Sequence, residues 1–107
     1  MKEIKAFVHR NRVADIVHAL RNAGYCSGNL SVVDVAGMLQ ALDTQEKNFS
    51  LELGEEVTNE VKLELVCEDE RAEEAIQIIR ENGRTGQTNA GWIYVIEIGA
   101  VYPIDSG

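Results

Sequence analysis

The feature that most narrows what this chain can fold into is a strand–helix–strand pattern that occurs twice, on either side of a long polar stretch. Residues 2–9 alternate: Ile4, Ala6 and Val8 fall on one side and Glu3, Lys5 and Phe7 on the other, with Phe7 the only apolar residue off the alternation. Residues 11–23 predict a helix, because Val13, Ile16, Val17 and Leu20 fall at i, i+3, i+4 and i+7 and make one apolar stripe. Asn11 is placed to cap its start and Gly24 to stop it. A turn at 25–29, with Ser27-Gly28-Asn29, leads to a second strand at 30–36, rich in β-branched Val32, Val33 and Val35. The second half mirrors the first. In 60–67, Val61, Leu63, Leu65 and Cys67 alternate with Lys62 and Glu64. In 68–82, Ala72, Ala75, Ile76 and Ile79 form the helical stripe; acids crowd the first turns and Arg80 sits near the end, as the helix dipole favours. Residues 92–98 read as the last strand.

This order predicts one α+β domain over residues 1–107, of the ferredoxin-like βαββαβ plan: an antiparallel sheet with two helices on one face. The last strand is apolar almost throughout (Trp92, Ile93, Val95, Ile96 and Ile98), whereas an antiparallel strand with one wet face should alternate more cleanly. The second sheet face is therefore expected to be covered too, most simply by another copy.

Two connections stand out. Residues 37–59 show weak periodicity and carry five acids (Asp43, Glu46, Glu52, Glu55, Glu56) against one base, Lys47. So long a loop is uncommon in a compact domain and is usually functional. The alternative is an extended two-stranded ribbon with a solvated tip, to which the alternating 49–53 would contribute. Residues 83–91, Gly83-Arg84-Thr85-Gly86-Gln87-Thr88-Asn89-Ala90-Gly91, combine glycines that allow close backbone approach with two hydroxyls and the Arg84 cation. They suit a ligand contact, and equally an ordinary helix-to-strand connection.

Composition excludes several functions. A net charge of −8 argues against sequence-independent binding to nucleic acid or anionic membrane. No apolar run is long enough to span a bilayer, and the alternating N-terminus lacks a signal peptide's apolar core, so a cytoplasmic protein with no membrane insertion is expected. Cys26 and Cys67 make no CxxC pair and are expected as free thiols, Cys67 as a small buried hydrophobe and Cys26, in a turn, as the more reactive. There is no nucleophile elbow, Walker loop or HExxH, which points away from an enzyme. No metal site is assigned. His9, His18 and Cys26 are ligand types for zinc or copper, but none has a recognised ligand spacing.

Taken together, the segments resemble the PII signalling family from Met1 to about Ile104. Ser31-Val32-Val33-Asp34-Val35-Ala36-Gly37 is similar to that family's second strand entering its T-loop, here about residues 37–59, and Glu60-Val61-Lys62-Leu63-Glu64-Leu65-Val66 to the strand leaving it. Ile78-Ile79-Arg80, Arg84-Thr85-Gly86 and Gly91-Trp92-Ile93-Tyr94-Val95 resemble the second helix, the B-loop (about 83–91) and the last strand. The resemblance implies a homotrimer that binds an adenine nucleotide in clefts between subunits and engages a transporter, enzyme or regulator through the T-loop. Ser31, Gly37, Thr85, Gly86 and Gly91 match cleft-lining positions, and Met38, Gln40, Lys62 and Arg84 complete the candidate ligand set.

The departures shape the expected ligand. Gln40-Ala41 stands where typical members carry Arg-Gln, Trp92 where they carry a base, and Pro103 and Asp105 where they carry two arginines; no tyrosine is available for modification in the T-loop. Charge-assisted contacts hold a polyphosphate most strongly, so AMP or ADP is expected rather than ATP. The pattern is similar to a divergent PII-like subgroup associated with metal-efflux or other transporter genes, which implies transporter regulation. A metal-binding or metal-tolerance role on the same trimeric fold, like that of the CutA proteins, is the alternative, and a purely structural oligomer the third.

Overall fold

The computed structural model describes residues 1–25, 29–38, 47–87 and 89–105, with Asn48 by its backbone alone. Strands β1 (Lys2–Val8), β2 (Leu30–Gly37), β3 (Lys47–Ser50), β4 (Glu55–Cys67) and β5 (Gly91–Glu97) form one antiparallel sheet, and helices α1 (Val13–Asn22) and α2 (Ala72–Gly83) pack together against it. The order across the sheet is β2-β4-β1-β5, with β3 paired to β4, so β2 and β5 occupy opposite sides. This is the expected ferredoxin-like plan.

The core follows from the strand alternation. Ile4, Ala6 and Val8 on β1 and Val61, Leu63, Leu65 and Cys67 on β4 are buried, and the register sets Ile4 opposite Leu65 and Ala6 opposite Leu63. Ile16 and Leu20 from α1 and Ala72, Ala75 and Ile79 from α2 close over them. Each buried Ile or Leu contributes about 1.5–3 kcal/mol relative to exposure. Tyr25, expected in a turn, is instead 4% exposed and belongs to this core.

The helix starts differ from expectation. Asn11 does not cap α1: the chain enters through a 3-10 turn at Arg10–Arg12, and no side chain caps the helix. A second 3-10 turn, Asp69–Arg71, delays α2 to Ala72. The bonds from Arg12 N–H to His9 O (2.9 Å) and from Arg71 N–H to Glu68 O (3.0 Å) close these turns through the backbone, so a capping side chain has less to satisfy. Gly24 does stop α1. Its φ is +88°, and Tyr25 N–H bonds Leu20 O while Gly24 N–H bonds Arg21 O, a Schellman closure. Gly83, expected in the second loop, is the buried last residue of α2; a Cβ there would lie 3.5 Å from Ile16 Cδ1.

The long connection is partly the ribbon. β4 begins at Glu55, not at 60, because β3 pairs with it from Lys47–Thr58 to Ser50–Glu55. Val57 and Thr58 are buried, whereas Leu51 at the tip is 91% exposed. Gln40 lies outside the described residues, as do Cys26 and Thr88.

Candidate functional site

A groove of about 400 Å3 runs along the β5 side of the sheet, beneath the C-terminal half of α2. Ile76 and Ile79 wall it on the helix side and Val95 on the strand side; Arg80, Arg84 and Trp92 also line it. Among the described residues neither arginine makes an ion pair. An apolar trough with free guanidinium groups can hold a planar or aliphatic body that carries an anionic end.

The second loop is positioned by β1. His9, at the strand's end, is 7% exposed, and its Nε2–H donates to the Asn89 carbonyl at 3.2 Å. Gly91 then opens β5 with φ +116°, and a side chain there would collide with the Phe7 carbonyl oxygen. Glycine at 91 is thus required by the close approach of β5 to β1. Gly86 also has a positive φ, +81°, but nothing lies near its would-be Cβ; the Gln87 N–H bonds Thr85 Oγ1 at 3.2 Å across the same bend.

The expected ligand residues fall into separate groups. Arg84 and Gly91 line the groove, and Thr85 and Gly86 continue from Arg84. Ser31 and Gly37 lie on β2, on the opposite side of the sheet, with exposed Met38 just beyond. Lys62 stands on β4 between Phe7 and Val33 and pairs with Glu64 at 3.3 Å. Of the metal candidates, His9 is engaged with the loop and His18 is exposed on α1, and no group of three metal-ligating side chains gathers among the described residues.

Sequence reasoning missed the groove's apolar walls. It also missed an aromatic cluster on the face away from the helices. Phe7 stacks on Trp92 with ring centroids 5.3 Å apart and meets Tyr94 edge-on at 6.0 Å. The available signal was Phe7 itself, the apolar residue that breaks the β1 alternation. Tyr94 (50% exposed) and Ile96 (41%) extend the apolar strip along β5. Trp92 Nε1 is buried and is the only such side-chain N or O among the described residues without a hydrogen-bond partner.

Fold and loops together define a small ferredoxin-like α+β domain with a groove at one side of its sheet and a projecting ribbon. The chain matches the family model for nitrogen regulatory protein P-II along residues 1–107 and belongs to that family. It is 30% identical over 107 residues to nitrogen regulatory protein P-II 1 of Methanothermobacter thermautotrophicus, covering 100% of this chain and 91% of that protein. A nitrogen fixation nifHD region GlnB-like protein 1 from Methanothermococcus thermolithotrophicus is 30% identical over 110 residues, covering 100% of this chain and 96% of its own. Nitrogen regulatory protein P-II of Pasteurella multocida is 27% identical over 107 residues, covering 100% of this chain and 94% of that protein.

Proposed function

We propose that this P-II family chain works as a trimeric sensor that binds AMP or ADP between subunits and signals through residues 37–59. The observation that carries the reading is the separation of the ligand residues. Ser31 and Gly37 on β2 and Arg84 and Gly91 beside β5 lie on opposite sides of one sheet, with β4 and β1 between them. One copy cannot close such a set around a small molecule, whereas copies joined head to tail bring the two groups together at every interface. The strip of Trp92, Tyr94 and Ile96 and the unpartnered Trp92 indole N–H supply apolar surface and a donor for such an interface.

Nucleotide choice follows from charge. Arg80 and Arg84 offer two guanidinium groups, enough for one or two phosphates, and position 92, next to the last loop glycine, is an indole rather than a cation. Nucleotide binding would bias the conformation of 37–59, and a partner, with a membrane transporter the first class to test, would read that change. Calorimetry on the pure protein is expected to give heats with AMP and ADP and a weaker one with ATP. Silence with all three would sink the nucleotide reading, and a monomer by sedimentation would sink the trimer.

A further inference from the structure

We propose that the tip of the β3–β4 ribbon of one copy docks in the β5-side groove of the next, holding the ribbon in until a ligand takes its place. The inference rests on the oligomer proposed above. The two surfaces are complementary in both polarity and charge. Phe49, Leu51 and Leu53 are exposed on the ribbon and its turn, interleaved with Glu52, Glu55 and Glu56. None of these carboxylates makes an ion pair among the described residues. The groove offers the reverse: apolar walls at Ile76, Ile79 and Val95, and unpaired Arg80 and Arg84. In a chain of net charge −8, two free cations beside an apolar trough are a specific lure for an acidic, apolar segment.

Placement agrees. The β1–β4 ladder ends at Val8–Val61 and the β1–β5 ladder at Val8–Gly91, so the ribbon and the second loop leave the same end of the sheet. From Val61 back to Glu55 the strand runs on for about 20 Å at some 3.3 Å per residue, far enough to cross an interface. The contact is heterologous, tip to groove, and around a ring each copy gives one tip and receives one. A ligand that fills the groove therefore expels a neighbour's tip and frees its leucines for a partner, so ligand binding and ribbon release become one equilibrium.

The test uses the full chain with Cys26→Ser and Cys67→Ala, carrying Leu53→Cys on the tip and Ala90→Cys on the groove. Mild oxidation is expected to give covalent multimers, and either new cysteine alone is not. Adding Arg84→Glu is expected to lose the product, and Glu52→Arg in the same chain to recover it. A disulfide closed within one chain, or none while sedimentation still shows an oligomer, overturns the docking and leaves the oligomer standing; a monomer overturns both. Trp92, the sole tryptophan, gives a second readout in the otherwise natural chain. Leu51→Asp with Leu53→Asp is expected to shift its emission to longer wavelength and increase acrylamide quenching, and unchanged emission and quenching overturn the proposal.

Discussion

The guanidinium of Arg71 lies 4.0 Å above the ring of Tyr25 and reaches beyond it to the carbonyl of Ala23 at 2.6 Å. The single Tyr25 O–H in turn lies between two acceptors, the Arg71 carbonyl (2.8 Å) and Glu74 Oε1 (2.6 Å), and shares its proton between them. The end of α1 is thereby clasped to the start of α2, and the Arg71–Glu74 ion pair itself, largely in solvent, adds little. Arg71→Ala loses the stacking and a bond to a helix-terminal carbonyl, and is expected to cost about 1–2 kcal/mol. Tyr25→Phe is expected to cost about 1 kcal/mol by loss of the hydroxyl's bonds. Urea denaturation of the two variants measures both.

The same tyrosine sets an alkaline limit. Burial, and then the bond to Glu74, push the Tyr25 hydroxyl up from 10.0 to about 12. A raised value means the folded chain holds this proton where the unfolded chain has released it. Its contribution is intact below pH 10 and is lost as pH rises towards 12. Stability measured between pH 10 and 12 is expected to fall more steeply in the natural protein than in Tyr25→Phe. Parallel slopes would show that Tyr25 does not govern this window.

Gly91→Ala forces a methyl group against the Phe7 carbonyl at a positive φ. The β1–β5 ladder must open there, and a loss of about 2–4 kcal/mol is expected. Amide hydrogen exchange in β5 should rise with it, while β2 and β4 stay protected. Gly86→Ala meets no neighbouring atoms and bears only its left-handed backbone, about 1 kcal/mol.

Trp92→Lys places a cation directly after the last loop glycine, on the sheet face that carries the Phe7–Trp92 stack. An added charge-assisted contact of about 1.5–3 kcal/mol is expected to strengthen ATP binding by about tenfold or more and AMP binding less. Calorimetry of the variant reads the ratio directly, and an unchanged ratio would remove Trp92 from the ligand site.

Cys67 is buried at the end of β4, and desolvation pushes its thiol up. Thiolate is the reactive form, so iodoacetamide is expected to leave Cys67 unmodified in the native protein and to modify it after unfolding. Peptide mass mapping distinguishes it from Cys26.

Most of the fold was legible because the core writes a plain alternation: Ile4, Ala6 and Val8 face Val61, Leu63 and Leu65, and two helical stripes cover them. Where legibility failed, a local rule gave way to backbone closure or tertiary contact. Asn11 looks like a cap, but a 3-10 turn already closes the entry to α1. Acids at 55, 56 and 60 hide the start of β4, since a buried Glu60 does not read as strand interior. Tyr25 reads as a turn residue until Arg71 and Glu74, more than forty positions on, are brought to it. The site was legible as residue types but not as a place. Ser31 and Arg84 carry no sign in the sequence that they occupy opposite sides of the sheet.

β4 runs without a break from the tip of the ribbon, at Glu55, to Cys67. Because successive side chains point to opposite faces, adding or deleting one residue between Val57 and Val61 would move Val57 onto the face that Thr58 and Glu60 now occupy, while Val61 and the core residues beyond it stay in place. Relatives should therefore vary the length of this arm in even steps, or else carry a bulge that resets the parity. Parity of insertions is thus a heritable mark of the arm's working face, readable in alignments where residue identity has already been lost.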